Sequence, residues 1–268
     1  MIVQGYTCIV VPNAIRAAGM TPVFVDIDPD TLNMNLEEVK KAINPKTRAI
    51  LCQHTFGIPS FTKELRALCD RHSLTLIEDC AHVIPDAKGP DHVALHGDLL
   101  MFSFGRDKAI SGVSGGCIIA RRRETAEHLR ELQSKARPLS LFQIKKLLLY
   151  PLLYAIARPL YGIGIGKLLL AIAGKLSVLP KILTRGEKHG QMRAVLHQLP
   201  NACAILALEQ WKYLQDINDH RRMLTAFYFE ACTKHSIPML LGVLPDLPLQ
   251  KFPLFTVHAE QIRRQLKT

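Results

Sequence analysis

Residues Leu74–His82 read LTLIEDCAH, and the first six of them, Leu74–Asp79, form a mainly aliphatic run that ends in two acidic residues. Such a short apolar run is typical of a strand that is buried on both faces of a sheet. Similar runs recur along the first half of the chain at Pro22–Asp26 (PVFVD), Arg48–His54 (RAILCQH), Leu99–Phe104 (LLMFSF) and Gly116–Ala120 (GCIIA). Helical apolar spacing separates them at Asn35–Ile43 and Phe61–His72. This alternation predicts an α/β fold with a mostly parallel central sheet.

Polar side chains follow two of the predicted strands. Glu78 and Asp79 end one strand, and Ser103 and Lys108 lie at or just past the end of the next. Ligands of open parallel sheets gather beyond the carboxyl ends of the strands, so we expect a site there. Lys108 belongs to FSFGRDKAISGVSGG (Phe102–Gly116), and we interpret the glycines and serines after it as room for a modified lysine side chain to move.

A lysine in this position suggests carbonyl chemistry. Its amine attacks a carbonyl only when uncharged, and pyridoxal phosphate is the common biological carbonyl partner. That cofactor needs a carboxylate opposite its pyridine nitrogen, which Asp79 would supply, and hydroxyls or amides for its phosphate, which Ser103 would help to supply. His82 would then reach the phenolic oxygen. The alternative remains open that Lys108 is a solvated loop residue and that Glu78 and Asp79 form an ordinary capping or salt-bridged pair.

Composition excludes several other classes of protein. The 268 residues are 48% hydrophobic and 21% charged, as in a globular protein. The formal net charge of +11 is not accompanied by any nucleic-acid-binding motif in the sequence, and only 6% of the residues are aromatic. We therefore expect no nucleic-acid partner. The seven cysteines form no CxxC pair and the first residues do not resemble a signal peptide. We therefore expect no metal site, no disulfides and a cytoplasmic location.

The segment Ser140–Leu183 is apolar and is interrupted by prolines, glycines and cations. Its longest uncharged stretch, Leu147–Ala157, is well below the ~18 residues of a spanning helix. Two interpretations stay open: helices that pack into the protein or a subunit interface, or an amphipathic hairpin on an anionic membrane surface, which would make the protein peripheral at the inner membrane face. The second suits the lysines of the segment, which are Lys145, Lys146, Lys167, Lys175 and Lys181.

The rest of the chain is predicted to be mainly helical. Asn201–Lys234 has the spacing of one long helix, and FPLFTV (Phe252–Val257) resembles a strand, followed by a helix that begins near Ala259. Three regions result: 1–135 as a cofactor-binding large domain, 136–190 as an apolar and basic helical insert, and 191–268 as the long helix and part of a small domain.

Several motifs together resemble a known family. IEDCAH (Ile77–His82), FSFGRDK (Phe102–Lys108) and SGVSGG (Ser111–Gly116) occur in the order and spacing of the DegT/DnrJ/EryC1/StrS aminotransferases. YTCIVVPNAIRAAGMTPVFVDIDPDTLNMN (Tyr6–Asn35) and QHTFG (Gln53–Gly57) extend the resemblance. These are pyridoxal-phosphate enzymes of fold type I that aminate nucleotide-linked keto-sugars. The resemblance implies a fold type I large domain and an incomplete small C-terminal α+β domain, in a chain truncated at both ends, since the family's Ser-Gly-Thr-Ala phosphate loop precedes the position of Met1.

The resemblance also implies roles for single residues. Lys108 becomes the Schiff-base lysine and proton shuttle, Asp79 the partner of the pyridine nitrogen, His82 the neighbour of the phenolic oxygen and Ser103 a phosphate ligand. Thr7 and Cys8 fall where the family contacts the ring, Cys8 replacing the usual aromatic residue. Arg106 is unusual in the lysine loop, and pairing with the phosphate, with Asp107 or with solvent are all open.

The implied function is transfer of an amino group, usually from glutamate, to a nucleotide-linked keto-sugar in surface-polysaccharide or natural-product biosynthesis. A homodimer is implied, because the family forms its site at a two-fold interface. Related sugar dehydratases carry histidine in place of the lysine, so Lys108 argues against dehydration. The alternative from another class is a catalytically silent, membrane-associated relative that acts as an interaction or sensor module.

Overall fold

A computed structural model describes residues 1–88, 93–176, 178–179, 185–190 and 195–265. Its centre is a six-stranded sheet in the order β2-β1-β3-β4-β5-β6, in which β6 alone runs antiparallel to its neighbour. The strands are β1 (Ile2–Gln4), β2 (Val23–Val25), β3 (Ala49–Gln53), β4 (Thr75–Asp79), β5 (Leu99–Ser103) and β6 (Gly116–Ala120). The predicted mostly parallel α/β sheet is confirmed, and the ends of the five predicted strands differ from the prediction by one residue or less. Strand β1 was not predicted from the sequence.

Ten helices are assigned among the described residues. They are α1 (Val10–Ala17), α2 (Leu36–Ala42), α3 (Thr62–His72), α4 (Arg123–Ser134), α5 (Leu141–Ala157), α6 (Ile165–Lys175), α7 (Arg185–Lys188), α8 (Asn201–Trp211), α9 (Leu214–Lys234) and α10 (Ala259–Gln265). Local chemistry fixes several ends: Asn35 caps α2 by accepting from the backbone N–H groups of Glu37 and Glu38, and Ser140 with Gln143 forms a capping box before α5. Ser73 ends α3 in a left-handed conformation.

Both faces of the central strands are covered, which explains their apolar sequences. All five residues of β3 are buried. Ile50 and Cys52 belong to a core cluster with Leu65 and Leu68 of α3, whereas Leu51, on the other face, packs with Ile15 of α1. Another cluster joins Phe102 of β5 to Ala207 of α8 and Leu214 of α9, so the C-terminal helices close the sheet near the expected site.

Two predictions about the C-terminal part are wrong. The single helix predicted over Asn201–Lys234 is two helices, because the backbone turns at Lys212 and Tyr213, where the helical spacing of apolar residues gives no signal. Phe252–Val257 is not a strand, although α10 begins at Ala259 as predicted. Lys181 and Leu183, at the end of the apolar segment, lie outside the described residues. Within the described part of the chain, no helix is both long and apolar enough to span a membrane.

Candidate functional site

The segments that follow four neighbouring strands meet at the carboxyl edge of the parallel part of the sheet. Tyr6 follows β1, Phe56 follows β3, His82 follows β4 and Lys108 follows β5. Since β1, β3, β4 and β5 are adjacent and parallel, their carboxyl ends share one edge. The sheet therefore brings Asp79, His82, Ser103 and Lys108 to one region, as the sequence predicts.

Asp79 and Lys108 are close enough to interact electrostatically. Asp79 is the last residue of β4 and is 5% exposed. Burial raises the pKa of its carboxyl group, and the Ala81 N–H, 3.0 Å from Oδ1, and the charge of Lys108 act in the opposite direction. The Lys108 side chain is 15% exposed, and its Nζ lies 4.0 Å from Asp107 Oδ2. Among the described residues this buried carboxylate has one hydrogen bond, fewer than usually stabilise such a group.

His82 is held as a neutral imidazole. Its Nδ1 accepts a hydrogen bond from the Phe56 N–H at 3.1 Å, so its proton lies on Nε2. Burial, together with the positive charges of Lys108 and Lys251, lowers the pKa of His82 to about 4. The ring stacks on Phe56 with 5.9 Å between centroids. His82 therefore has one N–H donor, Nε2, to offer to the site at neutral pH.

Ser103, Gly105 and Lys108 enclose a small space at the end of β5. The Ser103 Oγ accepts from the Gly105 N–H at 3.4 Å, which leaves the hydroxyl proton available to donate. A Cβ on Gly105 would lie 3.6 Å from both Ser103 Oγ and Lys108 Cγ. A side chain at residue 105 would thus occupy the space between the hydroxyl and the lysine.

Arg106 contacts the helical insert. Its guanidinium lies over the ring of Tyr150 in α5, 4.0 Å from the centroid. Burial lowers the pKa of Arg106. The lysine loop is therefore linked directly to α5.

Two glycines after Lys108 lie close to neighbouring backbone. A Cβ on Gly112 would approach the Cys203 carbonyl oxygen of α8 to 2.6 Å, and one on Gly116 would approach the Phe102 carbonyl oxygen to 2.3 Å. Both glycines therefore allow close backbone packing of the loop after Lys108 against α8 and β5.

Thr7 and Cys8 lie in the turn between β1 and α1. The Thr7 hydroxyl donates to Gln53 Oε1 at 2.8 Å, which ties the turn to the end of β3. Cys8 is exposed and carries a free thiol. Tyr6 packs edge-on against Phe56, 6.1 Å between centroids, so the aromatic contact at this edge comes from Tyr6, Phe56 and His82.

Glu78, next to Asp79, serves a structural purpose. Its carboxylate is fully buried and accepts from His54 Nε2 at 3.1 Å, from the N–H groups of Ala94 and His96 at 2.8 Å, and from the Gly97 N–H. Burial alone would raise the pKa of Glu78, but these donors hold it below its usual value. Glu78 thus fixes residues 94–97 against the end of β4.

His54, Glu78 and Cys80 have potential metal-ligand atoms within 4.8 Å of one another. His54 Nδ1 accepts a hydrogen bond from the Ser60 N–H at 3.0 Å, so the ring proton is on Nε2. Nε2 donates its hydrogen bond to Glu78 Oε2. Burial raises the pKa of the Cys80 thiol well above its usual value. The hydrogen bonds of His54 with Ser60 and Glu78 therefore explain why these side chains lie close together.

Sequence reasoning missed three residues at the edge of the site. Phe56 has a left-handed backbone (φ 57°), uncommon for a residue with a side chain. Gln250 donates from Nε2 to the Asp107 carbonyl oxygen at 2.7 Å and from its backbone N–H to the Phe56 carbonyl oxygen at 2.7 Å. Lys251 places its ammonium 5.7 Å from the Phe56 ring centroid. Only tertiary structure brings 250–251 to this edge, so no local signal was available.

Two sequence relatives each match less than half of the chain. GDP-perosamine synthase of Vibrio cholerae is 38% identical over 120 residues, which are 45% of this chain and 33% of that protein. The corresponding synthase of Escherichia coli O157:H7 is 35% identical over 119 residues, 44% of this chain and 33% of that protein. The matched stretch thus spans about a third of these relatives.

Solved structures resemble nearly the whole chain. DesI, solved in the presence of its TDP-sugar product, superposes on 99% of this chain and 58% of its own, with a TM-score of 0.69 and 22% identity. At that identity the likeness shows the fold, and it confirms the predicted fold type I architecture.

The sequence profile described as the DegT/DnrJ/EryC1/StrS aminotransferase family matches residues 1–143. That range is more than half of the chain and contains Asp79, His82, Ser103 and Lys108 together with the strands that position them. The chain therefore belongs to the DegT/DnrJ/EryC1/StrS aminotransferase family.

Proposed function

We propose that the protein is a pyridoxal-phosphate-dependent aminotransferase that acts on a nucleotide-linked keto-sugar. One observation carries the proposal: Lys108 and the buried carboxylate of Asp79 meet at the carboxyl edge of β4 and β5, where the lysine charge lowers the carboxyl pKa that burial raises. A lysine and a carboxylate brought together at this edge are the two groups that pyridoxal phosphate requires of a transaminase.

The residues present fit the cofactor. Asp79 is a buried carboxylate with one hydrogen bond, and a protonated pyridine nitrogen would give it a cationic partner. The Nε2–H of His82 suits the phenolic oxygen, since the histidine is neutral and its Nδ1 is already occupied. The Ser103 hydroxyl, beside Gly105, suits the phosphate, and Thr7 and Cys8 form the turn that would border the ring.

When bound, pyridoxal phosphate supplies an electron-accepting ring that stabilises negative charge at the substrate α-carbon. Asp79 would keep the ring nitrogen protonated. Lys108 would act as general base and then as general acid, taking a proton from the α-carbon of the amino donor in the first half-reaction and delivering one to the sugar carbon in the second. His82 would orient the cofactor through one hydrogen bond from its uncharged ring.

The proposed substrates rest on the relatives. Two GDP-perosamine synthases match this chain, so a GDP-linked deoxysugar is the class of acceptor we propose, and glutamate is the proposed amino donor. We further propose that 1–135 bind the cofactor, that 136–190 form a separate insert, and that 191–268 belong to a small domain.

A homodimer is part of the proposal. The outer face of α8 exposes Ile205 (59%) and Leu208 (65%), which offers apolar surface near the site for a second copy. Contact of 140–183 with a membrane does not follow from family membership and rests on the surface of α5 and α6 alone.

The test combines cofactor capture with turnover. Borohydride reduction after incubation with pyridoxal phosphate is expected to place the cofactor mass on the peptide that contains Lys108, and Lys108→Arg is expected to abolish it. Lys63→Arg, an exposed lysine on α3, is the matched control. In the reverse direction, GDP-perosamine and 2-oxoglutarate are expected to yield glutamate. Capture at Lys108 without glutamate would refute the substrate class, and equal capture in Lys108→Arg would refute the site.

A further inference from the structure

Helices α5 and α6 expose large apolar side chains that belong to none of the hydrophobic clusters found in the described part of the chain. The most exposed are Leu141 (76%), Phe142 (67%) and Leu152 (58%) in α5 and Leu168 (61%) in α6. Ile163 (70%), between the helices, and Leu176 (70%), directly after α6, extend the same surface. A monomeric soluble protein rarely gathers so many on one pair of helices. These side chains therefore have no apolar cluster to pack against among the described residues.

The two helices pack on each other through small residues, which leaves the large ones outside. The buried residues of the pair are Ala157 in α5 and Gly166 and Ala173 in α6. A Cβ on Gly166 would approach the Ala157 carbonyl oxygen to 2.1 Å, so the two backbones touch at that point. The apolar side chains are therefore displayed by a hairpin that is itself closely packed.

The same hairpin has positive charge and no acidic residue. Between Glu131 and Glu187 the sequence contains nine lysines and arginines and no aspartate or glutamate. Lys145, Lys167 and Lys175 make no ion pair within the described residues. Lys146 and Lys167 lie over the rings of Phe142 and Tyr161, at 4.9 and 5.3 Å. Cations thus alternate with exposed apolar groups over the hairpin surface.

We propose that the α5–α6 hairpin is a docking surface for an anionic lipid bilayer, in which the apolar side chains enter the headgroup boundary and the lysines contact lipid phosphates. Exposed apolar side chains beside lysines are the combination with which helices bind in the interface plane of an anionic bilayer. A second copy of this chain does not match the charge, because a two-fold contact would bring the same lysines face to face. The proposal is independent of the aminotransferase assignment.

The hairpin also lies beside the candidate site. Tyr150 of α5 covers the guanidinium of Arg106, two residues before Lys108. Because α5 contacts the loop of Lys108, docking through the exposed side chains of the hairpin would hold the site near the bilayer. That placement fits a later transfer of the aminated sugar to an acceptor that is carried by a lipid.

The test is vesicle flotation of the protein without added cofactor. We expect the protein to float at low salt with phosphatidylcholine vesicles that contain about one-third phosphatidylglycerol, and to float much less with phosphatidylcholine alone or at high salt. Phe142→Gln with Leu168→Gln is expected to weaken binding at least tenfold. Lys145→Gln with Lys167→Gln is expected to weaken it about twentyfold, since each cation near an anionic surface contributes roughly fivefold.

Matched controls change the same residue types elsewhere. Leu241→Gln with Val257→Gln replaces apolar residues that are 77% and 95% exposed, and Lys63→Gln with Lys234→Gln replaces exposed lysines on α3 and α9. All four proteins are expected to keep their melting temperature, because the residues changed are exposed. No flotation of the wild type at low salt overturns the proposal. So does equal loss in the control variants, or a change from dimer to monomer in the hairpin variants with unchanged lipid binding.

Discussion

The ring of His82 stacks on Phe56 and accepts that residue's backbone N–H on Nδ1. This one pair joins the loops after β3 and β4 and sets the tautomer of the histidine. Because the neutral ring is required for the hydrogen bond, protonation of His82 opposes folding.

We expect His82 to make stability depend on pH. The pKa of His82 is about 4 in the folded protein and near the ordinary value of 6.5 in the unfolded chain. Between these two pH values the unfolded chain therefore binds a proton that the folded protein does not bind. Stability is therefore lost as the pH falls from about 6.5 to about 4, by about 2 kcal/mol after allowance for solvent screening. In His82→Asn, which keeps an acceptor for Phe56, urea unfolding at pH 7 and pH 4.5 should show a smaller loss.

The control for this prediction is His128→Asn, which changes an exposed histidine on α4. It should follow the wild-type pH curve. Lys251→Gln removes one of the charges that depress the His82 pKa, so NMR titration should show that pKa rising in this variant. Parallel pH curves for wild type and His82→Asn would contradict the assignment.

Asp79→Asn should stabilise the cofactor-free protein and impair cofactor binding. Burial raises the pKa of this carboxyl group, so the charged form is disfavoured in the fold, and a neutral amide avoids that cost. An increase of about 1 kcal/mol in the free energy of unfolding is expected, together with loss of pyridoxal phosphate retention. Thermal melting and equilibrium dialysis measure the two effects. Asp107→Asn, at an exposed position, should change stability by less than ~0.5 kcal/mol; lower stability in Asp79→Asn would show that the carboxylate is structural.

Glu78→Gln should destabilise the protein by about 3 kcal/mol. The amide places an NH₂ among four donors that all require an acceptor, in a fully buried position. Urea unfolding at pH 7 gives the free energy of unfolding. Glu127→Gln, which removes an exposed partner of Arg123, should change it by less than ~0.5 kcal/mol. Similar values for the two variants would refute the anchoring role of Glu78.

Gly112→Ala should cost about 2 kcal/mol, because the new methyl group meets the Cys203 carbonyl oxygen of α8 and forces the loop or the helix to move. Gly174→Ala in α6 is the control. Nothing lies within 4 Å of a Cβ at that position, so alanine should be neutral or stabilising by up to ~1 kcal/mol. Differential scanning calorimetry of both variants measures the change in stability. If Gly112→Ala leaves the stability unchanged, the loop after Lys108 is not closely packed against α8.

The sequence predicted the candidate site because its residues lie at or just past strand ends. Asp79 ends β4, in which Leu76 packs on one face of the sheet and Ile77 on the other, and this two-sided burial is what the apolar pattern reports. The sequence did not predict that Glu78 anchors residues 94–97 whereas Asp79 faces the candidate site. That difference depends on the backbone N–H groups of residues 94–97, which lie far from Glu78 in the sequence. Likewise, Lys251 reaches Phe56 from almost 200 residues away, and the break at Lys212 interrupts no apolar pattern.

The stacking of Tyr150 on Arg106 has a practical consequence for protein engineering. Removing an apolar hairpin is a common way to improve solubility and crystallisation, and the α5–α6 hairpin is an obvious candidate for such a deletion. Such a deletion would also strip the aromatic cover from Arg106, two residues from Lys108, and change the dielectric surroundings of the lysine loop. Substituting the exposed leucines singly, with Tyr150 retained, preserves that loop.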